Sequence, residues 1–469
     1  MLTRLICTML LVTLPALATT GHAVDLALNL NYDTMIAQAT TKANQPDKSM
    51  GLWDVYILAV DNDPTFQADA LTYEADLQKV KQARAPLLPS LSADVAYVRN
   101  RDEIDAPGQP FVVQGSGNYN SDGYGLSLQQ PVYDRRKILE YRQAQSQAKV
   151  AELQFDIAKQ SLIVRVTTRY LLVLAAQDNL ELTVAERTAL SRQLELADER
   201  LQVGLGTTTD LYDAEARFRI AEAEEVTARN TLADAYQSLA ELIGQVPYSL
   251  RALKPDAPLT NPEPDDVPHW IAAALEGNLE LAVSQQTADV AEQEIRRQRA
   301  GHYPSLDFIV SHEFQDANGS ISGPGRETTF TDAMLQLSIP LVQGGAVVSR
   351  TEEARLRYDA ALRQVETARR AADRSVRAAF LDVTGSIRQV GALDRAVTAG
   401  ESALEAKQEG FAAGLNTNLE VLDAQRDLFE AKRNYLKARY DYILNWLRLK
   451  QVVGTLTEDD LQRAGTWLQ

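Results

Sequence analysis

RLQVGLGTTTDLYDAEARF (residues 200–218) and GFAAGLNTNLEVLDAQRDLFEAKRNY (410–435) are two versions of one stretch. Gly204, Asp213-Ala214, Ala228-Arg229 and Gly244 return as Gly414, Asp423-Ala424, Ala438-Arg439 and Gly454 at a constant spacing. Further out, Arg84-Ala85 with Pro89-Ser90-Leu91 returns as Arg299-Ala300 with Pro304-Ser305-Leu306. Pro131 in SLQQPVYD returns as Pro340 in QLSIPLVQ. A nearly fixed offset over the whole chain is the mark of an internal duplication. Its repeats run over 51–244 and 269–454. Residues 245–268, QVPYSLRALKPDAPLTNPEPDDVP, carry six prolines and read as a linker, and 455–469 form a C-terminal segment.

Each repeat follows one plan. A helix rich in Ala, Gln, Glu and Arg (52–85 or 270–300) meets a proline-marked break. A strand of period two follows: Leu91, Ala93, Val95 and Tyr97 oppose Ser92 and Asp94, and Leu306, Phe308 and Val310 oppose Asp307 and Ser311. Segments rich in Gly, Asn, Asp and Pro (101–118, 315–326) read as loops. In the second repeat the returning strand sets Thr331, Ala333, Leu335, Leu337 and Ile339 against Asp332, Gln336 and Ser338. No proline then lies within 132–246, between Pro131 and Pro247, and none follows Pro340. The first of these stretches divides at Gly204 and Gly206 into a long helix (136–202) and one about half as long (209–243); the second divides at Gly414. At 1.5 Å per residue the long helices reach about 100 Å, which suits coiled-coil or tubular packing. The shape expected is a rod with strands at one end and turns at the other. The linker and termini form a belt at mid-height.

The 469 residues carry a net charge of −17, which argues against nucleic-acid binding. One Cys and four His leave little material for metal or nucleophilic catalysis; no cofactor, metal site or enzymatic activity is expected. Residues 1–23 read as a signal peptide, with Arg4 before the apolar run 5–17 and small-x-small sites at Ala16–Ala18 and Gly21–Ala23. The run is too short to span a bilayer. Cys7 sits inside it without a lipobox, so the mature chain has no Cys and a charge of about −18. Residues 24–50 are an unassigned N-terminal extension.

Four alternating strands suit an outer-membrane barrel, or two soluble hairpins on a small core. Four cannot close alone in lipid, and eight leave an interior filled by side chains. An open duct therefore needs several chains, and three would supply twelve strands.

QARAPLLPSL (82–91), LSLQQPVYDRRK (126–137), EVTARNTLADA (225–235), LQLSIPLVQGG (335–345), LKQVVGTLTEDDL (449–461) and the two opening stretches resemble, in order and spacing, the TolC family of outer-membrane efflux ducts. The resemblance covers about 51–460. It implies a mainly α fold with a membrane β-barrel: a homotrimer with a twelve-stranded barrel in the outer membrane and a twelve-helix periplasmic tunnel. The implied function is a passive exit duct of tripartite efflux pumps or type I secretion systems. Its implied partners are a periplasmic adaptor (membrane fusion) protein and an inner-membrane pump of RND, ABC or MFS type.

The same resemblance nominates site residues. Glu420 and Asp423 share a helix face three apart and match acidic positions lining the family's periplasmic entrance. Rings of three carboxylates would favour cations, and mutual repulsion would raise some of their pKa values. Taken alone, they also read as solvated helix charges. Thr209 and Asp210 match residues that bond a Tyr and an Arg to hold the family's entrance shut. Those two positions are Phe411 and Asn416 here, which lack the hydroxyl and the charged fork, so different or looser closing contacts are expected. Val203-Gly204-Leu205 and Ala413-Gly414-Leu415 match the tips that dock an adaptor, and their glycines also fit ordinary helix C′ turns. The rival reading is a periplasmic coiled-coil adaptor or scaffold. Against it, no compact lipoyl-like β module is evident.

Overall fold

The computed structural model describes residues 49–104, 115–320 and 323–468. The signal segment, the extension up to Lys48 and Gln469 lie outside the described residues. The first repeat runs α1 (Leu52–Asn62), α2 (Pro64–Arg84), β1 (Ser90–Ile104), β2 (Gly115–Asp134), α3 (Arg135–Gln202) and α4 (Thr208–Ile243). The second runs α5 (Val267–Gly277), α6 (Leu279–Arg299), β3 (Ser305–Ser320), β4 (Gly323–Ser338), α7 (Ala346–Ala412) and α8 (Asn418–Val453), before α9 (Glu458–Gly465). Element order is the same in both.

The single helices expected over 52–85 and 270–300 are each broken in two. At the first break Pro64 cannot donate, and the Asp63 carboxylate caps the new helix by accepting from Thr65 N at 3.2 Å. Asp63 is 4% exposed and ion-paired with Arg165 of α3. At the second, Asn278 accepts from Leu281 N at 2.8 Å and donates to Val452 O at 2.6 Å. Each break thus pins its helix pair to a neighbouring helix, α3 in the first repeat and α8 in the second.

α3 and α7, of 68 and 67 residues, each span about 100 Å. α4 and α8 are 36 residues each. α3 packs along α4, and α7 along α8. The buried positions of α4 include Ala214, Ala221, Ala228 and Ala235, one every seven residues. Thr183, Leu190 and Ala197 of α3, and Val347, Ala354 and Ala361 of α7, repeat the spacing. A seven-residue repeat keeps one seam against the partner, and alanine lets the backbones approach closely. The main core lies mid-way along the long helices. There Leu162, Val166 and Tyr170 of α3, Val376 and Val383 of α7 and Leu447 and Leu449 of α8 meet α1, α4, α5 and α9. Tyr170 donates to the carbonyls of Met50 and Arg251, tying the start of the described chain and the linker to α3.

The four strands form one antiparallel sheet, ordered β1-β2-β3-β4. They are longer than expected, 15 to 20 residues. Much of the two segments read as loops is strand, because cross-strand pairing continues past the apolar alternation. Leu91, Leu128, Val310 and Ala333 form one transverse row, and Val95, Tyr124, Phe314 and Thr329 the row four positions along on the same face. Val95 is 87% exposed and Leu91 72%, so this apolar face is uncovered in the protomer. Between these rows, pointing the other way, lie Ser92, Ser127, Ser311 and Asp332. Among the described residues, β1 and β4 are free edges of the sheet. No helix among the described residues is long and apolar enough to cross a membrane.

Candidate functional site

At the end away from the sheet, α3 turns into α4 and α7 into α8 through matching turns. Gly204 and Gly414 both sit at φ +77°, the left-handed region that favours glycine. Leu205 N and Gly206 N both donate to Arg200 O, and Leu415 N and Asn416 N both donate to Gly410 O. This closure leaves Val203, Leu205, Ala413 and Leu415 projecting as exposed apolar side chains.

Thr207 then caps α4 and Thr417 caps α8, each as half of a reciprocal capping box. The Asp210 carboxylate accepts from Thr207 N at 3.1 Å and from Thr207 Oγ1 at 2.7 Å. The Glu420 carboxylate accepts from Thr417 N at 3.0 Å and from Asn416 Nδ2 at 2.8 Å. Asp210 and Glu420 are therefore the same device in the two repeats. The Asn416 side-chain bond first, then the Thr417 backbone, hold the Glu420 carboxyl below its usual range. That is opposite to the direction expected from carboxylate repulsion, because its nearest partners in the protomer are donors.

One turn on, Asp423 accepts from Arg217 Nη2 of α4 at 2.8 Å, with Arg426 Nη1 of its own helix at 3.5 Å. Phe411 lies beneath the Arg200 guanidinium, 4.2 Å from the ring centroid. Asn418, 2% exposed, accepts from Gln193 of α3 and donates to Asp210 O of α4 at 3.2 Å. Leu422 is buried among Leu190, Ala197, Ala214 and Ala221.

The sequence matches the family model described as "Outer membrane efflux protein" over residues 55–245 and 270–455, nearly all of both repeats. The chain belongs to the outer membrane efflux protein family. Members of this family are proteins of the outer membrane, and so is this chain. Among relatives of this efflux protein, Outer membrane protein TolC of Vibrio cholerae serotype O1 is 34% identical over 420 residues, covering 89% of this chain and 94% of that one. The alkaline protease secretion protein AprF of Pseudomonas aeruginosa is 33% identical over 323 residues, 66% of this chain and 65% of its own. The solved outer membrane protein VceC of Vibrio cholerae superposes with a TM-score of 0.71 at 19% identity, covering 86% of this chain and 96% of that chain. A Pseudomonas aeruginosa membrane protein gives 0.73 at 21%, covering 86% and 90%. These two likenesses concern the fold.

In this efflux protein, the residues nominated for closing contacts do not form one network within the protomer. Asp210 caps its own helix, Asn416 bonds Glu420, Phe411 meets Arg200, and Thr209 is exposed. Arg200, Arg217, Gln193, Asn418 and Leu422, which link the two helical hairpins, escaped the sequence reading. No short motif marks them, because each partner lies on a separate repeat.

Proposed function

We propose that three copies of this chain close into a twelve-stranded outer-membrane barrel continued by a twelve-helix periplasmic tunnel, and that the tunnel is a passive exit duct for efflux and secretion. The observation that carries this reading is the sheet: four strands with one exposed apolar face and two free edges. Free edges in lipid leave N–H and C=O groups without partners, which other copies of the chain would supply. The names of the secretion-protein and TolC relatives support export as the role. A periplasmic adaptor and an inner-membrane pump of RND, ABC or MFS type would supply recruitment and energy. The exposed tips (Val203-Gly204-Leu205 and Ala413-Gly414-Leu415) are the proposed adaptor contact. The entrance lies beside them, with Glu420 and Asp423 as its acidic lining and Thr209, Asp210, Phe411 and Asn416 around its closed state. The test is purification from outer membranes: a heat-modifiable trimer that conducts ions in planar bilayers is expected. A soluble periplasmic monomer would overturn the proposal. Gly204→Trp should leave the trimer intact and abolish efflux; normal efflux would count against tip docking.

A further inference from the structure

The contacts between the α3–α4 and α7–α8 hairpins near the tips have a consistent polarity. The first pair contributes arginines, Arg200 and Arg217; the second contributes what they bind, Phe411 and Asp423. The α4–α8 interface is sparse beside the long seams within each hairpin. Beyond the buried Leu422 and the bonds of Asn418, the Arg217–Asp423 pair at 2.8 Å is the direct side-chain link from α4 to α8 among the described residues. Asp423 thus has two cationic neighbours of different kinds. Arg426 is on α8 itself and travels with Asp423 wherever that helix goes. Arg217 is on α4 and stays behind when the hairpins part.

From this arrangement we infer that Arg217 sets the charge of the entrance: it covers Asp423 when the hairpins are together and releases it when they separate. The inference rests on the entrance reading proposed above and adds to it. An acidic lining half-neutralised from the opposite hairpin is weakly cation-selective while shut. The same movement that widens the passage takes Arg217 away from three carboxylates, one per chain of the trimer, and leaves each with only Arg426 at 3.5 Å beside it. Opening and preference for cationic cargo are then one event. Glu420 cannot serve as this switch, because all its recorded donors, Asn416 and Thr417, lie on its own chain segment and move with it.

The experiment is reversal-potential and conductance measurement of the full-length trimer in planar bilayers under a KCl gradient. Wild type is compared with Arg217→Gln, Arg217→Lys, Asp423→Asn and the Arg217→Gln/Asp423→Asn double variant. Each is first checked for heat-modifiable trimer. Arg217→Gln should raise the K⁺/Cl⁻ permeability ratio about two- to fivefold, the range of a partly exposed ion pair, and raise conductance. Arg217→Lys should remain near wild type, Asp423→Asn should lower the ratio, and the double variant should lose the gain of Arg217→Gln. If Asp423→Asn shifts selectivity while Arg217→Gln does not, Arg217 has no such role, although the entrance reading stands. A double variant that keeps the full gain would equally overturn the inference, since Arg217 would then act elsewhere. If neither Asp423→Asn nor Glu420→Gln alters selectivity, the entrance reading itself fails.

Discussion

Glu186 of α3 is 6% exposed and accepts from Arg433 Nη1 of α8 at 2.7 Å, between the tips and the main core. Burial raises its carboxyl pKa, with the Arg433 hydrogen bond and charge acting the other way. Arg433→Met keeps much of the side-chain length and removes the partner. An unpaired buried charge costs roughly 3–5 kcal/mol, but a carboxyl can escape by taking up a proton. Starting from an unfolded value of about 4.3, protonation costs about 1.4 kcal/mol per pH unit, hence at most about 3.7 kcal/mol at pH 7 and about 1 kcal/mol at pH 5. The sign follows: with the folded pKa raised, stability is highest below the unfolded value and falls as pH rises towards the folded one. Hydrogen exchange of the trimer in detergent reads this locally, around 183–190 and 430–436. After correction for intrinsic rates, protection relative to wild type should drop by up to about 500-fold at pH 7 but about fivefold at pH 5. An equal loss at the two pH values would refute the reasoning, since the cost would then be packing rather than charge.

Ala221→Leu places extra bulk in the heptad seam of α4, where Ala221 is 2% exposed, and should cost about 1–3 kcal/mol in thermal unfolding. The same change at the exposed Ala223 should be near neutral. Gly414→Ala, at φ +77° with open space around it, should cost about 1 kcal/mol. Gly454→Ala, at φ +84°, would put its Cβ 1.9 Å from Gly277 O and should cost at least about 3 kcal/mol; comparable melting temperatures would contradict this. Burial raises the Glu294 carboxyl pKa, but hydrogen bonds from Arg297, Gln298 and Gln143 outweigh it and bring the value to about 2. Its stabilisation is therefore present above about pH 4.5 and lost as pH falls towards 2. Glu294→Gln should be less stable by about 1–2 kcal/mol at pH 7 and level with wild type near pH 2 in thermal melts.

α3 and α4 start and end within one residue of the 136–202 and 209–243 expected, and α7 ends two residues before Gly414. The helix breaks at Asp63-Pro64 and Asn278 were also written locally, an Asx cap before a new turn, yet uniform helical composition on either side masked them. The strands were legible only where apolar and polar residues alternate. Beyond that they are held by pairing with neighbours, which no single segment encodes. Among the site residues, the turn glycines and the capping pairs Thr207/Asp210 and Thr417/Glu420 follow from local sequence. Thr209, Asp210, Phe411 and Asn416, where different or looser closing contacts were expected, do not meet as one network in the protomer: Asp210 caps its own helix and Asn416 bonds Glu420.

By itself, then, the sequence determined the duplication, the long uninterrupted helices, the left-handed turns at Gly204 and Gly414 and the two-faced strands. All of these depend on interactions within a few residues or on a simple period. The tertiary structure alone decided that Asp423 meets Arg217, 206 residues away, and that Glu186 meets Arg433 across 247. Those pairings depend on how one hairpin slides along the other. That register is set jointly by the alanine seams, Leu422 in its pocket and the mid-height core, and no local pattern carries it.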